Sequence, residues 1–249
     1  MPGGPSGGER DEDQIASSRS AGNFFVAVRG PARLYDVRMA YPVSVTIEPL
    51  IAPRDRLTTA FRLVLAIPHI ILVGGSGMGL SFAARESNGS IGAGGETGLL
   101  GAVAIFLAIL SWFTIVIAGQ HIVGIRQFTL VYLRWRLRAL AYLMLLEDQY
   151  PPFGDAPYPA AVIVVDPVGP RDRLTVGFRL LLLIPHVLVL FFLTCAWWVT
   201  TIIAWFAILV NGAYPQGLYG FGAGVLRWII RVEAYGLLLV DEYPPFSMT

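Results

Sequence analysis

Between Leu174 and Val210 the chain carries an apolar run of about 37 residues in which Arg179 is the only formal charge. As straight helix the run would reach about 55 Å, whereas a bilayer core is crossed by about 20 residues. The whole chain fits lipid as its solvent. Of 249 residues, 55% are hydrophobic and 14% charged, against roughly 25% charged in a soluble domain. Mean hydropathy is +0.62. The single cysteine, Cys195, sits inside the run. That excludes an intrachain disulfide or a cysteine-based zinc site, and leaves a small apolar side chain. Residues 1–21 are rich in Gly, Ser and acids with no apolar core of a signal peptide, so a disordered cytoplasmic tail is expected there.

The run has a partner earlier in the chain, because the sequence repeats itself. Tyr41-Pro42, Pro53-Arg54-Asp55-Arg56-Leu57-Thr58, Phe61-Arg62-Leu63 and Ile67-Pro68-His69 recur as Tyr158-Pro159, Pro170-Arg171-Asp172-Arg173-Leu174-Thr175, Phe178-Arg179-Leu180 and Ile184-Pro185-His186, always 117 residues on. Later matches are 93 residues apart: Trp112-Phe113 with Trp205-Phe206, Arg134-Trp135 with Arg227-Trp228, and Asp148 to Phe153 with Asp241 to Phe246. The difference is 24 residues, an insertion into copy one near Gly74 to Glu96, a stretch of Gly, Ser and Asn.

A loop of that size cannot interrupt a lipid-exposed spanning helix without stranding backbone polar groups, but it can lengthen the turn of a hairpin. Two spans per copy are therefore expected: Leu57–Val73 and Leu99–Ala118, then Leu174–Phe192 and Ala196–Val210, with a tight turn near Thr194. Each hairpin is followed by a segment, Phe128–Leu146 or Gly224–Val240, with arginines four apart: Arg134 and Arg138, Arg227 and Arg231. Charges at mid-span cost roughly 2.5–3.5 kcal/mol each. With Trp135 and Trp228 alongside, these segments read as amphipathic helices lying in the interface. Tyr41–Ile51 and Tyr158–Val168 read as short strands. The expected fold is mainly α: a polytopic helical membrane protein of two tandem repeats, each with a short strand, a transmembrane hairpin and an interfacial amphipathic helix, four spans in all. The repeats occupy residues 22–153 and 154–249. An even span count puts Arg54, Arg56, Arg171 and Arg173 on one face, and the positive-inside rule makes the protein multi-pass in the cell membrane with both termini cytoplasmic.

These motifs resemble a bacterial family known as domain of unknown function 4389, common in actinobacteria. The elements that carry the resemblance are Tyr-Pro before a strand, Arg-Leu-Thr, Phe-Arg-Leu, Ile-Pro-His, Trp-Phe, Arg-Trp and the closing Asp-x-Tyr-Pro-Pro-Phe. Two such domains would cover about Tyr41 to Phe246. The resemblance implies a membrane-embedded protein and no established activity. Similar domains end the second span in a Gly-x-x-Pro turn; copy two has Gly212 and Pro215, copy one Gly119 and Ile122.

Candidate chemistry is sparse. His69 and His186 each follow a proline in a span, and as a symmetric imidazole pair could ligate haem or a metal; alternatively each helps satisfy the backbone its proline frees. Arg62 and Arg179 lie one turn inside their spans, and intramembrane arginines are functional candidates. With Arg134, Arg138, Arg227 and Arg231 they could form a collar for lipid headgroups or anions, or pair with Asp148 and Asp241. Asp55 and Asp172 are placed to cap helices. No catalytic constellation, cofactor motif or nucleic-acid patch stands out. The expected function is a non-enzymatic scaffold or accessory subunit of a cell-envelope or membrane complex, with membrane lipids and other membrane proteins as partners. Lipid or anionic-solute binding or transport is the alternative, and haem or metal binding the second alternative.

Overall fold

The computed structural model describes residues 41–76, 98–154, 156–167 and 171–249. The amino-terminal tail and most of the inserted loop lie outside the described residues. Copy one contains β1 (Val43–Ile47), α1 (Arg56–Ala60), α2 (Arg62–Val73), α3 (Gly98–Ala118) and α4 (Val123–Leu143). Copy two contains β2 (Ala160–Val164), α5 (Arg173–Gly177), α6 (Arg179–Asn211) and α7 (Gln216–Gly236). Asp55 and Asp172 start α1 and α5 as expected, their side chains accepting from the N–H groups of Leu57 and Thr58 and of Leu174 and Thr175.

The long apolar run of copy two is one helix, not a hairpin. α6 continues through Thr194 to Asn211 over 33 residues, because Phe191 to Ala196 holds no Gly or Pro to form a turn, and an apolar backbone keeps its hydrogen bonds best inside a helix. Copy one builds the same rod in two pieces. α2 and α3 have 12 and 21 residues, and by the repeat offsets Val73 and Gly98 answer to the adjacent Leu190 and Phe191. A Cβ on Gly98 would lie 2.6 Å from the carbonyl oxygen of Leu72 and 2.3 Å from the nitrogen of Gly74, so the two helices abut end to end. The insertion thus leaves the middle of a long helix, the position the hairpin argument excluded. Of the four expected spans, two helices are long and apolar enough to cross a membrane, Gly98–Ala118 and Arg179–Asn211, and Arg62–Val73 is a shorter apolar helix.

One narrow seam of each rod is buried. In α6 it runs Arg179, Leu183, His186, Leu190, Trp197, Thr201, Ala204, Ile208, the three-and-four spacing of a single helix stripe. The seam packs on α7, and that of α2–α3 packs on α4, while α4 and α7 pack on each other. These arginine-bearing helices are the innermost elements. From Gly222 to Tyr235 only Arg227 escapes full burial, which is the opposite of a helix with one face among headgroups. Their other side is covered by an antiparallel sheet, β1 on α7 and β2 on α4. Three layers result: sheet, inner helix pair, long-helix pair.

The copies are related by a pseudo-two-fold axis and are interlocked. Val45 pairs with Val162, its own repeat equivalent, and Val43 with Val164 as Ile47 with Ala160. Such pairing puts the axis through the centre of the sheet and perpendicular to it. Trp112 Nε1 donates to the Val176 carbonyl and Trp205 Nε1 to that of Thr59, each at 2.9 Å. The Arg54 amide donates to the Gly212 carbonyl at 3.0 Å. The long helices therefore run antiparallel, and the two Arg-Asp-Arg triplets stand at opposite ends of the pair.

An ion pair between the inner helices breaks the symmetry. Arg136 of α4 meets Glu233 of α7 at 2.7 Å, and their repeat equivalents are Ile229 and Leu140. Arg136 Nη1 also donates to the carbonyl of Val73 at 2.6 Å, the last residue of α2, where the insertion ends the helix. The residue that fills an orphaned helix-end carbonyl belongs to the copy that has the break. Arg136→Ile, which restores the copy-two residue, is expected to cost about 3–5 kcal/mol by leaving Glu233 charged and buried. Adding Glu233→Leu should recover most of that loss. Thermal unfolding of wild type, single and double variants in detergent checks this, and a double variant no more stable than the single contradicts it.

Candidate functional site

α4 and α7 both end inside the protein, and what surrounds those ends is the best-defined constellation in the chain. Each closes on a left-handed leucine, Leu145 at φ +62° and Leu238 at φ +63°. The next amide reaches back, Leu146 N–H to the Ala141 carbonyl and Leu239 N–H to that of Ala234, the Schellman pattern that glycine usually completes. A left-handed non-glycine residue costs roughly 1–2 kcal/mol, so the turn must be held from outside.

Two arginines hold it. Arg54 donates to the carbonyls of Leu145 and Leu146, and Arg62 Nη1 to that of Glu147 at 2.8 Å. Both guanidinium groups reach Asp148 Oδ1, at 3.0 and 2.6 Å. Copy two repeats the clamp: Arg171 donates to Leu238, Arg179 to Tyr235 and Val240, and both meet Asp241 at 3.0 Å. Arg62 and Arg179 also lie over the rings of Tyr142 and Tyr235, 4.1 and 4.2 Å from the centroids. Cations at a helix C-terminus are favourable, and five planar donors suit an arginine to bridge several carbonyls and a carboxylate at once.

The histidines belong to a second repeated device. Trp135 Nε1 donates to His69 Nδ1 at 3.0 Å and Trp228 Nε1 to His186 Nδ1 at 3.2 Å, which assigns the proton of each neutral ring to Nε2. Phe153 stacks on His69 at 4.7 Å and Phe246 on His186 at 4.0 Å, with Tyr150 and Tyr243 alongside. Each imidazole is thus caged by aromatic groups of its own copy, and Tyr-Pro-Pro-Phe is the latch that folds back over it. Among the described residues no three His, Cys, Asp or Glu side chains gather as a metal site. The shared recurrence of Ile-Pro-His, Arg-Trp and Tyr-Pro-Pro-Phe in both copies was the available signal for this cage.

Beside each clamp lies an apolar pocket between the copies, and the two pockets are repeat equivalents. One is lined by Ile109, Trp112 and Phe113 of α3 with Arg179, Leu180, Gly236 and Leu238; the other by Ile202, Trp205 and Phe206 of α6 with Arg62, Leu63, Leu143 and Leu145. Each encloses about 320 Å³. They differ where Gly236 replaces Leu143, and the first also reaches Glu233 and Tyr132. The remaining arginine candidates lie elsewhere. Arg134 and Arg138 border a hollow against β2, and Arg138 and Arg231 hold the carbonyls of Gly154 and Ser247. Arg227 is half-buried one turn before Arg231. The six do not make one collar: Arg62 and Arg179 are at opposite ends of the long-helix pair, and the other four are on α4 and α7. The Gly-x-x-Pro departure is conformationally silent, since Gly119 and Gly212 have φ +73° and +70°, and Ile122 and Pro215 both precede their helices in extended conformation.

The family model described as "Domain of unknown function (DUF4389)" matches residues 95–154 and 173–248. That is more than half the chain and both copies, and the protein belongs to this family. Each matched segment contains one inner helix, its clamp acid and the aromatic latch; the strands fall outside. No curated protein and no solved structure matches the chain.

Glu147 adds a titrating group to the copy-one clamp, where copy two has Val240. Burial pushes its pKa up to about 7, against the pull of Arg54 and with Glu48 and Asp148 adding to the rise. A carboxyl that keeps its proton longer folded than unfolded stabilises the fold at low pH. Stability is expected to fall as pH rises from the model-compound value of 4.5 through about 7, and to level off above. Glu147→Gln should flatten that slope. Unfolding temperatures measured across this pH range, wild type against variant, decide it, and an unchanged slope contradicts it.

Proposed function

We propose that this DUF4389 protein is a non-enzymatic, membrane-embedded scaffold or accessory subunit of a cell-envelope or membrane complex. The observation that carries the reading is where its charge is used. The buried clamp arginines bind this chain's own helix ends and carboxylates, so they act as internal fasteners, while the long helices turn large apolar side chains outward along their whole length, from Phe106, Phe113 and Ile117 to Phe191, Phe192 and Val210. A rigid interlocked body with an apolar exterior suits a part that others assemble around in lipid. Crosslinking in native membranes, followed by purification in mild detergent, should recover the same partner proteins in repeated preparations. Consistent recovery of the chain alone would reject the reading.

The twin pockets favour lipid binding as a second reading. Their walls are apolar, and the clamp arginines beside them are already paired, so a hydrocarbon chain fits them better than an anion does. Changing Arg62 or Arg179 would unseat a helix end, and the informative substitution is Gly236→Trp. The other pocket stays open with Leu143 at this position, so a larger ring is needed, and a Cβ at 236 meets only Leu183 Cδ1 at an ordinary 3.5 Å. The variant should fold and lose about half of the tightly held lipid, counted by native mass spectrometry, since an indole occupies one of two chain-sized cavities. Undiminished lipid in a folded variant contradicts pocket binding.

A further inference from the structure

The three layers bear on how the chain meets a bilayer. We infer that the long helices α2–α3 and α6 lie flat in one leaflet, with the pseudo-two-fold axis along the membrane normal and the sheet on the aqueous side, rather than crossing from one face to the other. The inference rests on the membrane-embedded reading above and adds its geometry.

The axis is perpendicular to the sheet, and the long helices form the layer farthest from it. If those helices crossed the bilayer, the axis would lie in the membrane plane and the sheet would stand at mid-depth. β1 and β2 pair only with each other among the described residues, so each would turn an edge of backbone groups towards hydrocarbon, where irregular backbone is not tolerated. Ser44 and Thr46 would face lipid on the outer side of the sheet. Arg134, Arg138, Arg227 and Arg231, on the inner helices near the sheet, would be drawn to the same depth, where ionised side chains are most costly.

Laid flat, every one of these conflicts disappears. Within the described parts of 57–118 and 174–211 the charged residues are Arg62 and Arg179, both buried, so the layer offers the leaflet no exposed charge. The sheet and its arginines rise to headgroup level and water. The axis gives both copies the same depth, as a duplicated in-plane anchor requires, and one helix diameter of about 10 Å matches the depth to which in-plane helices sink. The occupant of this apolar face is thus lipid hydrocarbon of a single leaflet.

Three exposed positions along α6 test the inference: Leu182, the native Cys195 near the middle, and Phe206. Each carries one environment-sensitive fluorophore on a single cysteine, with Leu182→Cys and Phe206→Cys made in a Cys195→Ser chain. A fourth label sits at Ser44→Cys, also in Cys195→Ser. The full chain is placed in phosphatidylcholine–phosphatidylglycerol vesicles containing lipids brominated at graded depths, with iodide as the aqueous quencher. The three α6 positions are expected to report one shared shallow depth, and Ser44 to be quenched by iodide alone. A spanning helix puts Leu182 and Phe206 at opposite surfaces, separated by about 36 Å of helix, with Cys195 deepest; that result overturns the flat insertion and leaves membrane embedding intact. Iodide quenching with no lipid quenching at any α6 position overturns both. Because Cys195 is native and central, its depth alone, shallow or mid-bilayer, gives the same decision where a substituted chain fails to fold.

Discussion

Each copy finishes its innermost helix within the protein, and the fold depends on satisfying that buried end. The last carbonyls of a helix have no intrahelical donor, and in a low-dielectric interior an unmet carbonyl is costly. Here the turn is also strained, because Leu145 and Leu238 take the left-handed conformation without being glycine. A guanidinium supplies several donors from one side chain, and its charge then calls for Asp148 or Asp241. The acid lies just beyond the helix it serves, while the arginines come from the start of the copy's own long helix. The clamp therefore fixes the antiparallel packing of long and inner helices within a copy, and everything the copies exchange across the axis is built on that frame.

Much of this was legible in the residues. The duplication, the insertion, the capping Asp55 and Asp172, and the pairing of Arg62 and Arg179 with Asp148 and Asp241 follow from motifs that recur at fixed offsets. The burial of α4 and α7 was not. Arg134, Arg136 and Arg138 within about one helical turn suggest a headgroup helix when helix and charge are considered alone; the tertiary partners, Glu233 for Arg136 and the Gly154 carbonyl for Arg138, make burial affordable. The hairpin expectation failed for a related reason. It assumed that a broken helix in an apolar setting has no remedy, and the remedy, a long-range hydrogen bond from Arg136 to Val73, leaves no local trace in sequence.

Three departures from symmetry are coupled: the helix break after Val73, Arg136, and Glu233. They meet at one point, with Arg136 bridging the other two. In copy two the corresponding rod is continuous, and Leu140 and Ile229 fill the corresponding space with hydrocarbon. A buried ion pair adds little net stability over well-packed apolar residues, so what accounts for this pair is the carbonyl it satisfies. The insertion and the pair form one unit: the break creates an acceptor, the arginine meets it, and the glutamate neutralises the arginine.

That unit also separates the two pockets in character. Glu233 and Tyr132 border the pocket that has Gly236 in place of Leu143, while the opposite pocket has Thr201 where the first has Ala108. Duplication supplies two equivalent cavities, each braced by the same clamp, so one can change without loosening the fold. A glycine at 236 costs the turn little, because that turn is already held by Arg171 and Arg179. The rigidity that the clamp gives to each helix end is thus what frees the adjacent wall to differ, and any ligand-specific property of this protein is to be sought on the side where the copies no longer match.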